Sequence, residues 1–282
     1  MWFLFALLGA FFAASRDALV KKQLNRADNY VVASGVFLFA AAALFLVSVI
    51  AGFPSIGPGF FIYLSAVVIL DIPSYIFTYK ALKMADISRT APMTSFELVF
   101  ILFISFAMLG EVPAPVGIAG VLLIFVGSYV VNAPKGWSAL KSDQQARASV
   151  YMIVAAFLAA VTANINKLLV QASDTTFGSS AVCLLLGVAF LAIALTGKRN
   201  VSAAYRVGIH KFMLTGLLMA LAIAAINIAF TMQIVPYVIA LKRLSIIFSV
   251  LYGAALFKEK QIKRRLAGAG IMLAGVLLIL LF

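Results

Sequence analysis

Residues 107–127 read AMLGEVPAPVGIAGVLLIFVG, and residues 255–275 read ALFKEKQIKRRLAGAGIMLAG. Set one under the other at an offset of 148 positions, the two share Ala107/Ala255, Glu111/Glu259, Ala119/Ala267, Gly120/Gly268 and Gly127/Gly275. The match runs without a gap from 77–131 against 225–279, adding Ala81/Ala229, Met84/Met232 and Phe100/Phe248. An acid at the same turn, followed by glycines at the same two places in the next apolar run, marks a duplicated unit. Near offset 150, Asp17-Ala-Leu-Val20 faces Lys167-Leu-Leu-Val170, which carries the repeat back to the first run of each half.

The repeated unit is apolar throughout. Hydrophobic residues make up 65% of the chain and charged ones 11%, and the mean hydropathy of +1.12 lies far above the soluble range. This is the composition of an integral membrane protein. Ten apolar runs lie at about 2–20, 30–51, 60–82, 88–109, 113–132, 150–171, 176–196, 210–232, 235–257 and 265–282. Each is close to the length that crosses a ~30 Å hydrocarbon core as a helix. The expected fold is therefore all-α, with ten transmembrane helices in two five-helix repeats at 1–132 and 150–282, joined by a linker at 133–149. An odd number of spans turns the second repeat upside down relative to the first. Inverted repeats of this kind are characteristic of secondary transporters, with a substrate site near the midplane. The opening Met1–Gly9 has no basic n-region and reads as a retained first span.

Charge sets the expected orientation. Alternate connections carry Lys21, Lys22, Arg26; Lys80, Lys83, Arg89; Lys135, Lys141, Arg147; Lys198, Arg199, Arg206, Lys211; and Lys258, Lys260, Lys263, Arg264, Arg265, while the others carry no cation. By the positive-inside rule these loops face the cytoplasm and both termini face outward, in a plasma (cytoplasmic) membrane. Spread over five loops, the +13 charge does not make a nucleic-acid surface. The single cysteine, Cys183, reads as a buried packing residue, and the single histidine, His210, as an interfacial one. With no clustered metal ligands, no nucleophile beside a base and no Gly-rich phosphate loop, neither a metal, a cofactor nor an enzymatic activity is expected.

Ionisable residues inside the runs carry the functional reading. Lys242 and Arg243 are adjacent in the ninth run, and each such residue at a helix centre costs about 2.5–3.5 kcal/mol on insertion scales. Lys167 lies at a similar depth in the sixth. Lys242, Ser245 and Ser249 share one helical face, as do Asn164 and Lys167. An Arg fork with Lys charges and hydroxyls suits a phosphate, phosphonate or carboxylate head group. The alternative is that Asp71 and Glu97 neutralise these cations as structural ion pairs. Both acids lie on polar stripes, Asp71, Ser74, Tyr75, Thr78 and Thr90, Thr94, Glu97, and either could instead carry a coupling proton. Arg16 and Asp17 read as a gate or local pair. Pro73 should kink the third span. Tyr63, Tyr75, Tyr79, Phe96, Tyr237 and Tyr252 offer a further possibility, an aromatic cage for an amine.

Tyr79-Lys-Ala-Leu-Lys-Met84 leading into Ala91-Pro92, Leu109-Gly-Glu111 before the Gly120/Gly127 span, and Phe257-Lys-Glu259 before the Gly268/Gly275 span resemble the EamA-like branch of the drug/metabolite transporter superfamily. Leu241-Lys-Arg-Leu-Ser-Ile-Ile247 further resembles the Lys-Arg segment of plastid triose-phosphate/phosphate translocators, and Ser95-Phe-Glu-Leu98 their Leu-Glu-Pro stretch. A further phosphate-binding lysine of those proteins is Thr94 here. The resemblance implies a small anionic metabolite held by Lys242 and Arg243; with the residues read from depth and spacing, the expectation is alternating-access transport with Lys242, Arg243, Lys167, Ser245, Asn164 and Thr94 at the site, by a monomer or homodimer. Alternatives are export of amino acids or amines through Asp71 or Glu97, and a lipid-phosphate flippase.

Overall fold

The computed structural model describes residues 1–24, 27–84, 91–132, 143–257 and 262–281. Arg26, Arg89, Thr90, Lys135, Lys141, Lys258, Glu259, Lys260 and residues 133–142 of the linker lie outside the described residues, as do the side chains of Lys83, Lys263, Arg264 and Arg265. Among the described residues the chain is helical, without strands. The helices are α1 (Trp2–Leu24), α2 (Asn29–Ala51), α3 (Phe60–Met84), α4 (Phe96–Leu109, entered by a 3-10 turn, Ala91–Ser95), α5 (Pro115–Asn132), α6 (Asp143–Gln171), α7 (Phe177–Thr196), α8 (Val201–Met232), α9 (Val235–Lys242), α10 (Ser245–Phe257) and α11 (Ile262–Leu281).

Among the described residues, seven stretches are long and apolar enough to cross a membrane: α1, α2, α3, α6, α7, α8 and Val235–Tyr252. Three shorter apolar helices cover Met93–Leu109, Pro115–Val131 and Ala267–Leu281. Two of the long helices outrun their apolar segments, α6 beginning at Asp143 and α8 at Val201. Hydropathy measures the thickness of hydrocarbon, whereas a helix continues for as long as its backbone ladder is favourable. The ninth run departs more sharply. It is broken between Lys242 and Ser245, where Leu244 N bonds Leu241 O at 2.9 Å and Ile246 N bonds Arg243 O at 3.0 Å, both three residues back. A short tightened turn there replaces the α-helical ladder.

The chain forms two compact units, Met1–Ile69 with Ile165–Met232, and Leu70–Asn164 with Gln233–Phe282, so each draws on both sequence halves. The division in α3 falls at Ile69, whose carbonyl is the one Pro73 cannot bond for want of an N–H.

In the first unit α1 packs on α8, and α2 on α7 and α8. Helices in lipid gain nothing from burying apolar surface against one another, so small residues and hydrogen bonds must hold them. Accordingly α1 buries Ala6, Gly9, Ala10, Ala13 and Ala14, and a Cβ at Gly9 would lie 2.7 Å from Ile226. Phe190, fully buried, stacks on Tyr30 and Phe37. Asn227 Nδ2 donates to Thr175 O at 2.7 Å and Ser179 Oγ at 2.8 Å. Asp28 accepts the Tyr30 N–H at 2.8 Å to cap α2, and also pairs with Arg199, holding that guanidinium still more firmly in its charged form.

In the second unit the two stretches that open the sequence analysis meet. A Cβ at Gly120 would lie 2.7 Å from Gly275 O, and one at Gly127 would lie 2.7 Å from Gly268 O. The wider surroundings match as well: Ile279 faces Gly120 as Val131 faces Gly268, and Met272 faces Gly127 as Ile124 faces Gly275. Every pair maps onto another at the offset of 148. Elsewhere in this unit α3 packs on α6, where Ser74 Oγ donates to Ala155 O at 3.1 Å and Phe77 stacks on Tyr151 at 5.6 Å.

Candidate functional site

Arg243 sits in the break between α9 and α10, and Glu97 in the first turn of α4, just after its 3-10 entry. The two side chains form an ion pair, each 15% exposed. Arg243 Nη2 also donates to Thr94 O at 2.6 Å, and Nη1 to Thr94 Oγ1 at 3.4 Å. At the offset of 148 the 3-10 turn 91–95 falls on 239–243, and Glu97 on Ser245. The end of the 3-10 turn at Ser95 thus takes the register of Arg243, just after the end of α9, and the pair joins these two interruptions of regular α-helix.

Asp71, half-buried on α3, accepts a hydrogen bond from Thr162 on α6 and lies within electrostatic reach of Lys242 and Glu97. Lys242 itself is exposed. The described cluster therefore holds two cations and two acids, with one half-buried pair and one exposed lysine. That balance is chemically specific: it offers complementary charge to both ends of a dipolar molecule and no large excess to either sign.

The remaining expected ligands are distributed differently. Ser245 opens α10, beside Arg243. Asn164 is fully buried and engaged, accepting from Ser105 Oγ at 2.7 Å and donating to Ala160 O at 2.9 Å, so it ties α6 to α4. Lys167, half-buried, belongs to the first unit. So do Arg16 and Asp17, adjacent on α1, where Arg16 Nη2 donates to Asp17 Oδ1 at 2.7 Å. The aromatic residues have separate neighbours: Tyr75 leans on Tyr79, Phe96 on Phe125, Tyr237 bonds the α4–α5 turn, and Tyr63 lies in the first unit. Cys183 is buried and His210 exposed.

Sequence reasoning used Glu111 only as a repeat marker and missed what it does. Glu111 Oε2 accepts the Val235 N–H at 2.7 Å, capping α9, while the Tyr237 hydroxyl accepts from Ala114 N at 3.1 Å and fills the space beside Gly117. A carboxylate at a helix N-terminus satisfies an otherwise orphaned donor and complements the dipole. The signal was the duplicated acid itself, at a turn where hydropathy alone places no demand.

Residues 1–133 match the model of the EamA-like transporter family. Over that stretch, just under half of its length, the chain is similar to EamA-like transporters. The match includes the Tyr79–Met84 and Leu109–Glu111 motifs; with its run of apolar helices the chain is a multi-pass membrane protein, and the similarity supports a transport role. Among 29 matching chains of solved structures, one crystal structure is similar to this chain over 99% of its length and 96% of the other, with a TM-score of 0.81 and 13% identity. At that identity the likeness shows the fold alone. No curated protein matches.

Proposed function

We propose that the chain is a secondary transporter of a small zwitterionic metabolite of amino-acid type, built as ten spans in two inverted five-helix repeats and working by alternating access. The observation that carries this reading is the Arg243–Glu97 pair joining the two helix interruptions, with exposed Lys242 and acidic Asp71 beside it. Interrupted helices with charged residues at the break are how membrane transporters build binding sites. A substrate carboxylate meets Lys242 first, then draws Arg243 from Glu97. The freed Glu97, with Asp71, takes the substrate ammonium, so no buried charge is left alone at any stage. The reciprocal glycine crossing of α5 and α11 supports the inverted repeat, because each contact recurs with the partners exchanged.

The adjacency of Lys242, Arg243 and the N-terminus of α10 favours a second reading, a phosphate- or phosphonate-bearing anion with Glu97 as displaced counter-ion. Thermal unfolding of the purified protein separates the two. A zwitterion at a hundredfold excess over its Kd should raise Tm by about 5 °C, and the shift should vanish in both Arg243→Ala and Glu97→Ala. An organophosphate shift that is lost in Lys242→Ala with Arg243→Ala, with no response to amino acids, would replace the first reading by the second.

A further inference from the structure

A pocket of about 400 Å3 opens in the first unit, where α1 gives way to α2 and α7 to α8; Gln23, Asp28, Val31, Asn200, Lys211 and Phe212 are among its walls. We propose that it binds the head group of an aminophospholipid, one whose ammonium still carries N–H donors. Gln23 is 6% exposed. Its Nε2 donates to Lys211 O at 3.0 Å and Thr215 Oγ1 at 3.3 Å, but its Oε1 has no partner among the described residues. Turning the amide over does not help, since that would set Oε1 against the Lys211 carbonyl, another acceptor. The buried oxygen therefore calls for a donor brought in from outside the chain.

The rest of the wall fits the same molecule. Exposed Lys211 supplies a cation for a phosphate, and Val31 and Phe212 an apolar surface for the glycerol and first methylenes. Depth agrees: α1 ends at Leu24, and the apolar run of α8 begins at about residue 210, so Gln23 and Lys211 lie at span ends, level with head groups rather than hydrocarbon. A lipid held there would tie α1 to α8 where their small-residue contact runs out.

The full-length protein is reconstituted in vesicles of equal phosphatidylethanolamine and phosphatidylcholine, extracted in mild detergent, and its retained lipid measured by mass spectrometry. Choline has the same charge as ethanolamine but no N–H. Wild type is expected to retain ethanolamine lipid in roughly tenfold preference, the value of one charge-assisted hydrogen bond. Gln23→Met should abolish the preference in protein that elutes folded. Equal retention of both lipids by wild type, or an unchanged preference in Gln23→Met, overturns the proposal. Displacement of the retained lipid by millimolar soluble phosphoethanolamine would overturn the assignment to a lipid in favour of a free metabolite.

Discussion

Arg243 shows what a single residue in hydrocarbon must resolve. Its guanidinium is 15% exposed and satisfied by Glu97 and by the carbonyl and hydroxyl of Thr94. Removing one partner of such a pair leaves a buried charge with nothing to balance it. Glu97→Gln is therefore expected to lower stability by about 3–5 kcal/mol, whereas Arg243→Met with Glu97→Met should recover most of that loss, because the charges leave together. Thermal unfolding of the three proteins checks this. A double variant no more stable than Glu97→Gln would mean the pair adds net stability. Transport should be absent from both variants, since stability and substrate binding use the same pair differently.

At the scale of elements, the α5–α11 crossing depends on glycines whose Cβ positions are already occupied by the facing backbone. Gly127→Ala places a methyl 2.7 Å from Gly268 O, and overpacking of this kind costs about 1–3 kcal/mol. The same measurement on exposed Gly270, which has open space around it, should show far less. The α9 latch is tested by a pair. A methyl at Gly117 collides with the Tyr237 hydroxyl, so Gly117→Ala should destabilise and Tyr237→Phe should partly rescue it, despite forfeiting the Ala114 bond, itself worth about 1 kcal/mol. Absence of rescue would place the strain elsewhere along α5. The breaks in α4 and the ninth span belong to this scale too: hydropathy runs smoothly through both, because a tightened turn has the same composition as the helix it interrupts.

For the whole molecule, the charge asymmetry of the loops predicts both termini outside. A reporter fused to the C-terminus that is active only in the periplasm or extracellular space is the expected result; activity in the cytoplasm would reverse the orientation. The membrane class and the apolar segments were legible in the chain, because hydrophobic length answers directly to bilayer thickness. Much of the candidate site was legible as well: Lys242, Arg243, Asp71 and Glu97 stand out as charges where charge is costly. What the linear order left open was the pairing. Ion pair and ligand site demand the same residue types, and only the three-dimensional approach of the α9–α10 break to the start of α4 gives Arg243 to Glu97 and Thr94, while burying Asn164 against Ser105 and leaving Lys167 in the other unit. Hydropathy is a sum along the chain, and electrostatic partnership falls off within a few ångströms across it; the first can be read from order alone, the second exists only once the helices have packed.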